Sequence, residues 1–494
     1  MHTETSAASS GAASGKLLHL ILGPAAFLLA QFLPFLGPPQ ARVGFGILFW
    51  MVYWWVTVAV DIKVTCLVPL FVAAFYQYMP IDKVMQTYVH KEFYLIAGAT
   101  AVTAAWARWG FAKRMGLKFL LRFGNSTRMQ MVGWFWLTGL VSFVMGNTPV
   151  AAVFAPIAVA SLIYAGYATF ESRWNSNAAS NILIAVAWGA SVGGMATPIG
   201  GGQAVVTLTL LEKYLGHKVF FIDWSLRMIP ISLAVMTAMA LFMYYFMKPE
   251  VERFEGSREF YEKELEAMGP MRFEEKAVFW GFVLIVLLVM AQPLYAGALK
   301  SPFFKWLNPS PLFVIFALVL FFMPSRSAPG ENVLSVDTLV KHFPVAVLFI
   351  WPASVALGRI LDQTGASAVF ATWLQPFIAA GDLSAVIAFS AGPNALSQVT
   401  SDTAAAGVMI PLVIEAFKNW HGLPFGAVAF VWVAGSALSW SYAVASSTGA
   451  QGIVAGFGAN LRRMFVYGMV GAGISVLVTI LYYYLAIVVL GSEF

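Results

Sequence analysis

Two short polar triplets stand inside strongly apolar sequence: Gly146-Asn147-Thr148, followed by Pro149, and Ser401-Asp402-Thr403. Each is followed a few dozen residues later by a second interruption, Thr197-Pro198-Ile199-Gly200-Gly201-Gly202-Gln203 in one case and Thr448-Gly449-Ala450-Gln451 in the other. Serine, threonine and asparagine offer short donors and acceptors. Backbone forced out of helix offers free N–H and C=O groups. A helix N-terminus carries roughly half a positive charge and can hold a carboxylate, sulfate or sulfonate without a buried Lys or Arg. Carbonyls at the breaks can ligate sodium. The chemistry within reach is the binding of a small anion beside a coupling cation.

Spacing ties the four stretches together. Asn147 and Asp402 are separated by 255 residues, Gln203 and Gln451 by 248. Nearly equal offsets imply a duplicated unit of about half the chain, and matching interruptions in two halves mark a membrane carrier's binding site.

Composition agrees. Of 494 residues, 60% are hydrophobic and 11% charged, where soluble proteins carry about 25% charged residues. The chain reads as an all-α polytopic membrane protein. The net charge of +6 is no sign of nucleic-acid binding, because Lys and Arg sit in short loops between apolar runs. Cys66 is the only cysteine, and His2, His19, His90, His217, His342 and His421 are scattered without ligand spacing. No metal site other than one for sodium is expected, and no nucleophile–base pair at depth marks an enzyme. The glycines at 200–202 lack the Lys-Ser/Thr of a nucleotide loop.

The elements that must position the triplets follow from apolar runs long enough to span a bilayer. Residues 1–15 are Ser/Ala/Gly-rich and expected to be disordered. Residues 16–128 hold the first scaffold spans, starting near Leu17, Gly44, Val64 and Phe93, and a basic, aromatic-rich stretch from Arg108 to Arg128 that fits an interfacial cytoplasmic helix. Residues 129–247 form a first transport half, with a re-entrant hairpin turning at the first triplet and a span broken at 197–203. The hydrophilic stretch 248–276 is a cytoplasmic linker. Residues 277–383 are the scaffold spans of the second repeat, and 384–494 the second transport half, with its own hairpin and broken helix. This gives about eleven spans plus two hairpins. With the N-terminus in the cytoplasm, 19 of the 29 Lys and Arg fall inside, which satisfies the positive-inside rule. The C-terminus then lies outside, and the hairpins enter from opposite faces as an inverted repeat requires.

These residues carry a family resemblance. Residues 142–152, Ser-Phe-Val-Met-Gly-Asn-Thr-Pro-Val-Ala-Ala, resemble the first Ser-Asn-Thr signature of the divalent anion/sodium symporters, the dicarboxylate, citrate and sulfate carriers. Gly193-Gly194-Met195-Ala196-Thr197-Pro198-Ile199-Gly200 resembles their glycine-rich break, and the stretches around 400–405 and 448–451 resemble the second copies. The resemblance implies a homodimeric elevator carrier in a bacterial inner membrane, embedded in lipid and moving a small anion with sodium, protons or a counter-anion. It places substrate at Gly146, Asn147, Thr148, Pro149, Ser401, Asp402, Thr403 and Thr448. It places a coupling ion near Ser142, Asn147, Thr197, Gly200, Gly201, Gln203, Asp402, Ala450 and Gln451.

Several positions depart from the pattern. Gly146 and Asp402 stand where Ser and Asn are typical, both breaks end in Gln rather than Asn, and Val58 and Asp61 replace the usual residues after Trp54-Trp55-Val56-Thr57. An ionised Asp402 beside a dianion is unfavourable in a low-dielectric site. It can be protonated, face a sodium ion, meet an ammonium group of the substrate, or simply cap the second hairpin helix. The rival function is a cation/proton antiporter with Asp402 as the cation carboxylate. A channel fits inverted broken repeats less well than alternating access.

Overall fold

The computed structural model describes all residues except 1–3, 58, 89–91, 215–218, 299–307, 343–344, 419–425, 446 and 490–494. The departure at Val58, and His2, His90, His217 and His421, lie outside the described residues. The described residues form helices and no strand. Helices α1 (Glu4–Gln31) and α2 (Pro39–Thr57) pack on each other, and α1 begins inside the stretch expected to be disordered. The run near Val64 is two pieces, α3 (Ile62–Thr65) and α4 (Val68–Tyr76), followed by α5 (Ile81–Thr87). Asp61 caps α3 by accepting from the Lys63 N–H, and pairs with the Lys63 ammonium at 2.7 Å on the exposed surface. The run near Phe93 becomes α6 (Glu92–Trp109), which turns at Gly110 into α7 (Phe111–Leu120).

The first triplet separates α8 (Thr127–Ser142) from α9 (Asn147–Tyr164). Pro149 is tolerated because the first turn of a helix needs no intrahelical donor. After the short α10 (Phe170–Asn175) comes α11 (Asn177–Gly193), buried along almost its whole length, as a helix apolar all round must be. Pro198 and the glycines stop it, and the chain resumes as α12 (Gly202–Tyr214) and α13 (Phe221–Phe246). The linker contributes α14 (Ser257–Ala267) and leads into α15 (Phe273–Met290), α16 (Gln292–Ala298), α17 (Pro309–Phe322), α18 (Val336–His342), α19 (Val345–Gln363) and α20 (Ala366–Ala379). The second triplet separates α21 (Asp382–Val399) from α22 (Asp402–Lys418), and the second break separates α23 (Gly426–Ala437) from α24 (Gly449–Gly456), before α25 (Leu461–Tyr483). Pro156 in α9 and Pro411 in α22 each stand nine residues past the first residue of their helix, a further mark of duplication.

By length and composition, three described helices can each cross a membrane alone: Asn147–Tyr164, Phe221–Phe246 and Leu461–Ala486. Some of the other apolar runs are split, as the one near Val64 is into α3 and α4, so a run in sequence does not always translate into one unbroken helix. The largest core gathers α8, α9, α11, α12, α13 and α21 to α25. A second joins α1 to α5 with α19 and the outer face of α22. A third joins α6, α15 and α17. Within the largest core the two halves cross-brace: α12 packs on α22, α24 packs on α9, and α13 packs on α25.

The basic stretch sits against protein. Phe111, Ala112, Leu117 and Leu120 of α7 are buried, and the helix packs on α8, α9 and α14. Three of the six cations between Arg108 and Arg128 are held by carboxylates: Arg108 by Glu331, Lys113 by Glu264 and Arg114 by Glu275. The linker is acidic because it answers these charges. Arg114 and Glu275 are both buried and joined in a fork, with Nε to Oε2 at 2.7 Å and Nη2 to Oε1 at 3.0 Å. Arg114 also donates to the Gly269 carbonyl at 2.6 Å. Beside this pair, just before the apolar run of α15, Glu274 gathers Ser325, Arg326 and Ser327 through four hydrogen bonds. Burial opposes ionisation of Glu274, but the donors of Ser327 and Ser325 outweigh it and hold its pKa down to about 2.

Removing one partner of the buried Arg114–Glu275 pair strands the other charge, at about 3–5 kcal/mol. Arg114→Met and Glu275→Met are each expected to lower the melting temperature of the purified protein strongly. The Arg114→Met/Glu275→Met double variant should lose less than the sum. Additive losses would show that the pair is not coupled.

Candidate functional site

Four helices, α9, α12, α22 and α24, begin in the interior of the largest core, and glycine contacts bring their ends together. A Cβ on Gly449, at the start of α24, would lie 2.4 Å from Oγ1 of Thr148 in α9. A Cβ on Gly202, at the start of α12, would lie 2.6 Å from Oγ1 of Thr403 in α22. Each triplet therefore leans on the break of the opposite half. Within the first half, a Cβ on Gly200 would meet the Ser142 carbonyl at 2.5 Å, and one on Gly193 would meet the Gly139 carbonyl at 1.9 Å. No side chain larger than hydrogen fits where these backbones touch.

Side chains lock the breaks in place. Ser142 donates to the Ala190 carbonyl at 2.6 Å, and Thr197 donates to the Phe143 carbonyl at 2.5 Å, tying the first triplet to the first break. Gln203 donates to Ser439 of the second break at 2.7 Å. In the second half, Gln398 donates to the Trp440 carbonyl at 2.6 Å and accepts from the N–H groups of Tyr442 and Ala443. Asn394 donates to the Ala437 carbonyl at 3.1 Å. Residues 438–445 can stay unwound at depth because these side chains take over part of the helix's hydrogen bonding.

A small cavity of about 60 Å³ opens at the first triplet. Gly146, Asn147, Thr148 and Pro149 form one wall, Gly200, Gly201 and Gly202 another, and Thr100 and Thr103 of α6 close it. No charged side chain lines it. The polarity comes from the starts of α9 and α12 and from hydroxyls, an arrangement suited to a small anion.

The second triplet stands behind this wall. Ser401 caps α22, its Oγ accepting from the Ala404 N–H at 3.1 Å, so the capping role open to Asp402 belongs to its neighbour. Asp402 is turned inward and buried. Its Oδ1 accepts from Ser441 at 2.5 Å, and its Oδ2 has no hydrogen-bond partner among the described residues. Gln451 donates to the Ser441 carbonyl at 2.6 Å, and its Oε1 is likewise buried without a described partner. Thr448 caps α24 by accepting from the Gln451 N–H, and Ala450 is buried in the same turn. Two acceptor oxygens in want of a positive partner thus flank Ser441.

Comparison with known proteins now bears on this arrangement. The sequence model described as "Sodium:sulfate symporter transmembrane region" matches residues 15–492. The chain belongs to this family. It is accordingly an integral membrane transporter and not an enzyme. The sodium-dependent dicarboxylate transporter SdcS of Staphylococcus aureus, in strains MRSA252 and NCTC 8325, is 24% identical over 496 residues, covering 97% of this chain and 93% of SdcS. Among solved structures, the YdaH transporter of Alcanivorax borkumensis aligns with a TM-score of 0.52 at 10% identity, over 82% of this chain and 87% of that one. That likeness shows a shared fold alone.

Within the symporter framework, the structure places Gly146, Asn147, Thr148, Pro149, Gly200 and Gly201 on the cavity wall. Ser142 and Thr197 lie directly beneath it, bound to the break. Gln203 faces the second break. Ser401, Asp402, Thr403, Thr448, Ala450 and Gln451 are not on the wall, although Thr403 and Thr448 reach it through Gly202 and the neighbouring Gly449. Sequence reasoning missed Thr100 and Thr103, Gln398 and Asn394, and Ser439 and Ser441. The last four lie on or beside a triplet or break already singled out, as polar residues in apolar sequence.

Gly449 has no relief, since its Cβ would also meet Cγ2 of Thr148 at 2.7 Å, whereas the next atom near Gly202 is 3.3 Å away. Gly449→Ala is expected to destabilise the protein by about 1–3 kcal/mol, more than Gly202→Ala, with partial recovery in Gly449→Ala/Thr148→Ser. Gly473→Ala on α25, where nothing lies within 4 Å, is the neutral control. Thermal unfolding of the four variants decides it, and equal melting points for Gly449→Ala and Gly473→Ala would refute the contact.

Proposed function

We propose that the protein is a secondary active carrier of a small dianion, a dicarboxylate, sulfate or sulfonate, working by an elevator movement of the core that holds both triplets. The observation that carries this reading is the cavity at the starts of α9 and α12, whose described lining combines apolar side chains with helix-start backbone, the Asn147 amide and threonine hydroxyls, and no charged side chain. Each helix end contributes about 0.3–2 kcal/mol toward an anion, so several acting together bind it without an immobile salt partner. Membership of the sodium:sulfate symporter family and the likeness to the sodium-dependent dicarboxylate transporter SdcS support the same substrate class.

On this reading the helix pairs α8–α9 and α21–α22 are re-entrant hairpins of an inverted repeat. Residues 16–128 and 277–383 form a scaffold that pairs with a second copy, and 129–247 and 384–494 travel. The positive-inside rule puts the N-terminus in the cytoplasm and the C-terminus outside.

The coupling cation belongs at Asp402. A carboxylate on the cavity wall would repel the substrate, and the structure holds it behind the wall instead, with Oδ2 and the Gln451 Oε1 open to a positive partner. Sodium or a proton at Asp402 satisfies Oδ2 and offsets part of the charge of the dianion. The same oxygens favour, as the second reading, a cation/proton antiporter using Asp402.

Uptake of radiolabelled succinate and sulfate into proteoliposomes tests the proposal. A carrier saturates, is accelerated by unlabelled substrate on the far side, and responds to an imposed sodium or pH gradient. Asp402→Asn keeps the hydrogen bond from Ser441 and should fold, while changing the dependence on sodium or pH. An unchanged dependence would remove Asp402 from coupling. A chain that moves protons against cations with no anion uptake would be an antiporter.

A further inference from the structure

The substrate cavity adjoins a larger one of about 410 Å³, and Thr103, Thr148 and Pro149 line both. This vestibule runs between α6 and the outward face of α9 toward the linker. Two of its lining residues are charged, and both are lysines, Lys113 and Lys341, with no carboxylate on the wall. They come from distant parts of the chain. Lys113 opens α7 and is paired with Glu264 of α14, each half-buried. Lys341 is on α18, exposed, and makes no ion pair with a described residue. The fold works to hold α18 there. Arg108 pairs with Glu331 and donates to the Asn332 carbonyl, Trp109 donates to the Val333 carbonyl at 2.7 Å, and Glu274 clamps 325–327, so the segment leading into α18 is tied to the end of α6.

We propose that Lys113 and Lys341 form an anion-docking station in this vestibule, where the substrate dianion is gathered before it slides past Pro149 to the helix ends. The inference rests on the carrier reading and assigns it a second, weaker site on the path. A cleft lined by one sign of charge with low-dielectric walls concentrates the opposite ion and raises its arrival rate. The division of labour is physical. Ammonium groups on flexible stems attract at range and release readily. The helix ends bind at contact and carry no net charge that would trap the anion. Glu264 is then a resident competitor: it occupies Lys113 until an incoming dianion shares or displaces it.

Two measurements test the station separately from the carrier reading. Ala152 lines the vestibule and is exposed, and the only native cysteine, Cys66, is buried. The full chain carrying Ala152→Cys is reacted with an anionic sulfonatoethyl thiosulfonate and with its cationic trimethylammonium counterpart. At low salt the anionic reagent should gain on the cationic one by on the order of tenfold relative to free thiol. Lys341→Gln should reduce that ratio several-fold, Glu264→Gln should raise it, and about 0.5 M salt should flatten it. A ratio that neither Lys341→Gln nor Lys113→Gln alters overturns the station. In uptake, Lys341→Gln should raise KM for succinate roughly three- to tenfold at low salt, with the maximal rate within about twofold; an unchanged KM also overturns it. If the parent chain takes up neither succinate nor sulfate, the carrier reading fails, while the reagent ratio still decides whether the vestibule gathers anions.

Discussion

A helix that begins inside a protein leaves its first backbone N–H groups without partners, and the structure depends on how four such beginnings are accommodated together. Two are capped by hydroxyls, Ser401 for α22 and Thr448 for α24. At α9 the Asn147 side chain accepts from the Thr148 N–H at 2.8 Å. What the caps leave over at the starts of α9 and α12 is positive potential at the cavity they line. The arrangement is stable only because the ends touch through glycine. At Gly193 and Gly200 a methyl group would force backbones apart, and at Gly202 and Gly449 it would press on the side chains of Thr403 and Thr148.

The two halves answer the same constraint with different residues. In the first, hydroxyls of Ser142 and Thr197 bind the break and leave its glycines on the cavity wall. In the second, the amides of Asn394 and Gln398 replace the lost helical hydrogen bonds, and the carboxylate of Asp402 is packed against Ser441. A wall without charge and a buried carboxyl group behind it suit an anion on one side and a proton or cation on the other. Opposite charges separated by a helix turn attract through protein, whereas two anions in one cavity would repel by several kcal/mol at about 4 Å and an effective dielectric near 20.

Much of this was legible in the sequence for a physical reason: polar and glycine residues are rare enough in apolar spans that each one marks a place where the helix fails. The two triplets, the two breaks and their spacing were visible for that reason, and the family followed from them. Which half would form the cavity was not visible. Asn147 and Asp402 hold equivalent positions, yet one is on the wall and the other behind it, a difference set by packing against α6 and Ser441. The neighbours of the basic stretch at 108–128 were not visible, since an amphipathic helix looks the same whichever surface covers its apolar face. The acid partners lay more than a hundred residues away, in the linker and near Glu331. Helix lengths were also hidden, because hydrophobicity does not report where Leu67 or Ala291 interrupts the ladder.

Contacts supply a route by which the two ions of a carrier would sense each other. Asp402 is bonded to Ser441, Ser441 to Gln451, and Gln451 to Thr448, the residue beside Gly449. Gly449 rests on Thr148, which forms part of the cavity wall. On the proposed reading, a cation drawn to Asp402 acts on the turn that positions α24, and α24 sets how far Thr148 can move. An anion at Thr148 loads the same contact from the other side. Coupling of this kind is reciprocal, since each ligand must change the other's affinity by the same factor. It needs only that Gly449 remain small enough for α24 and α9 to stay in contact.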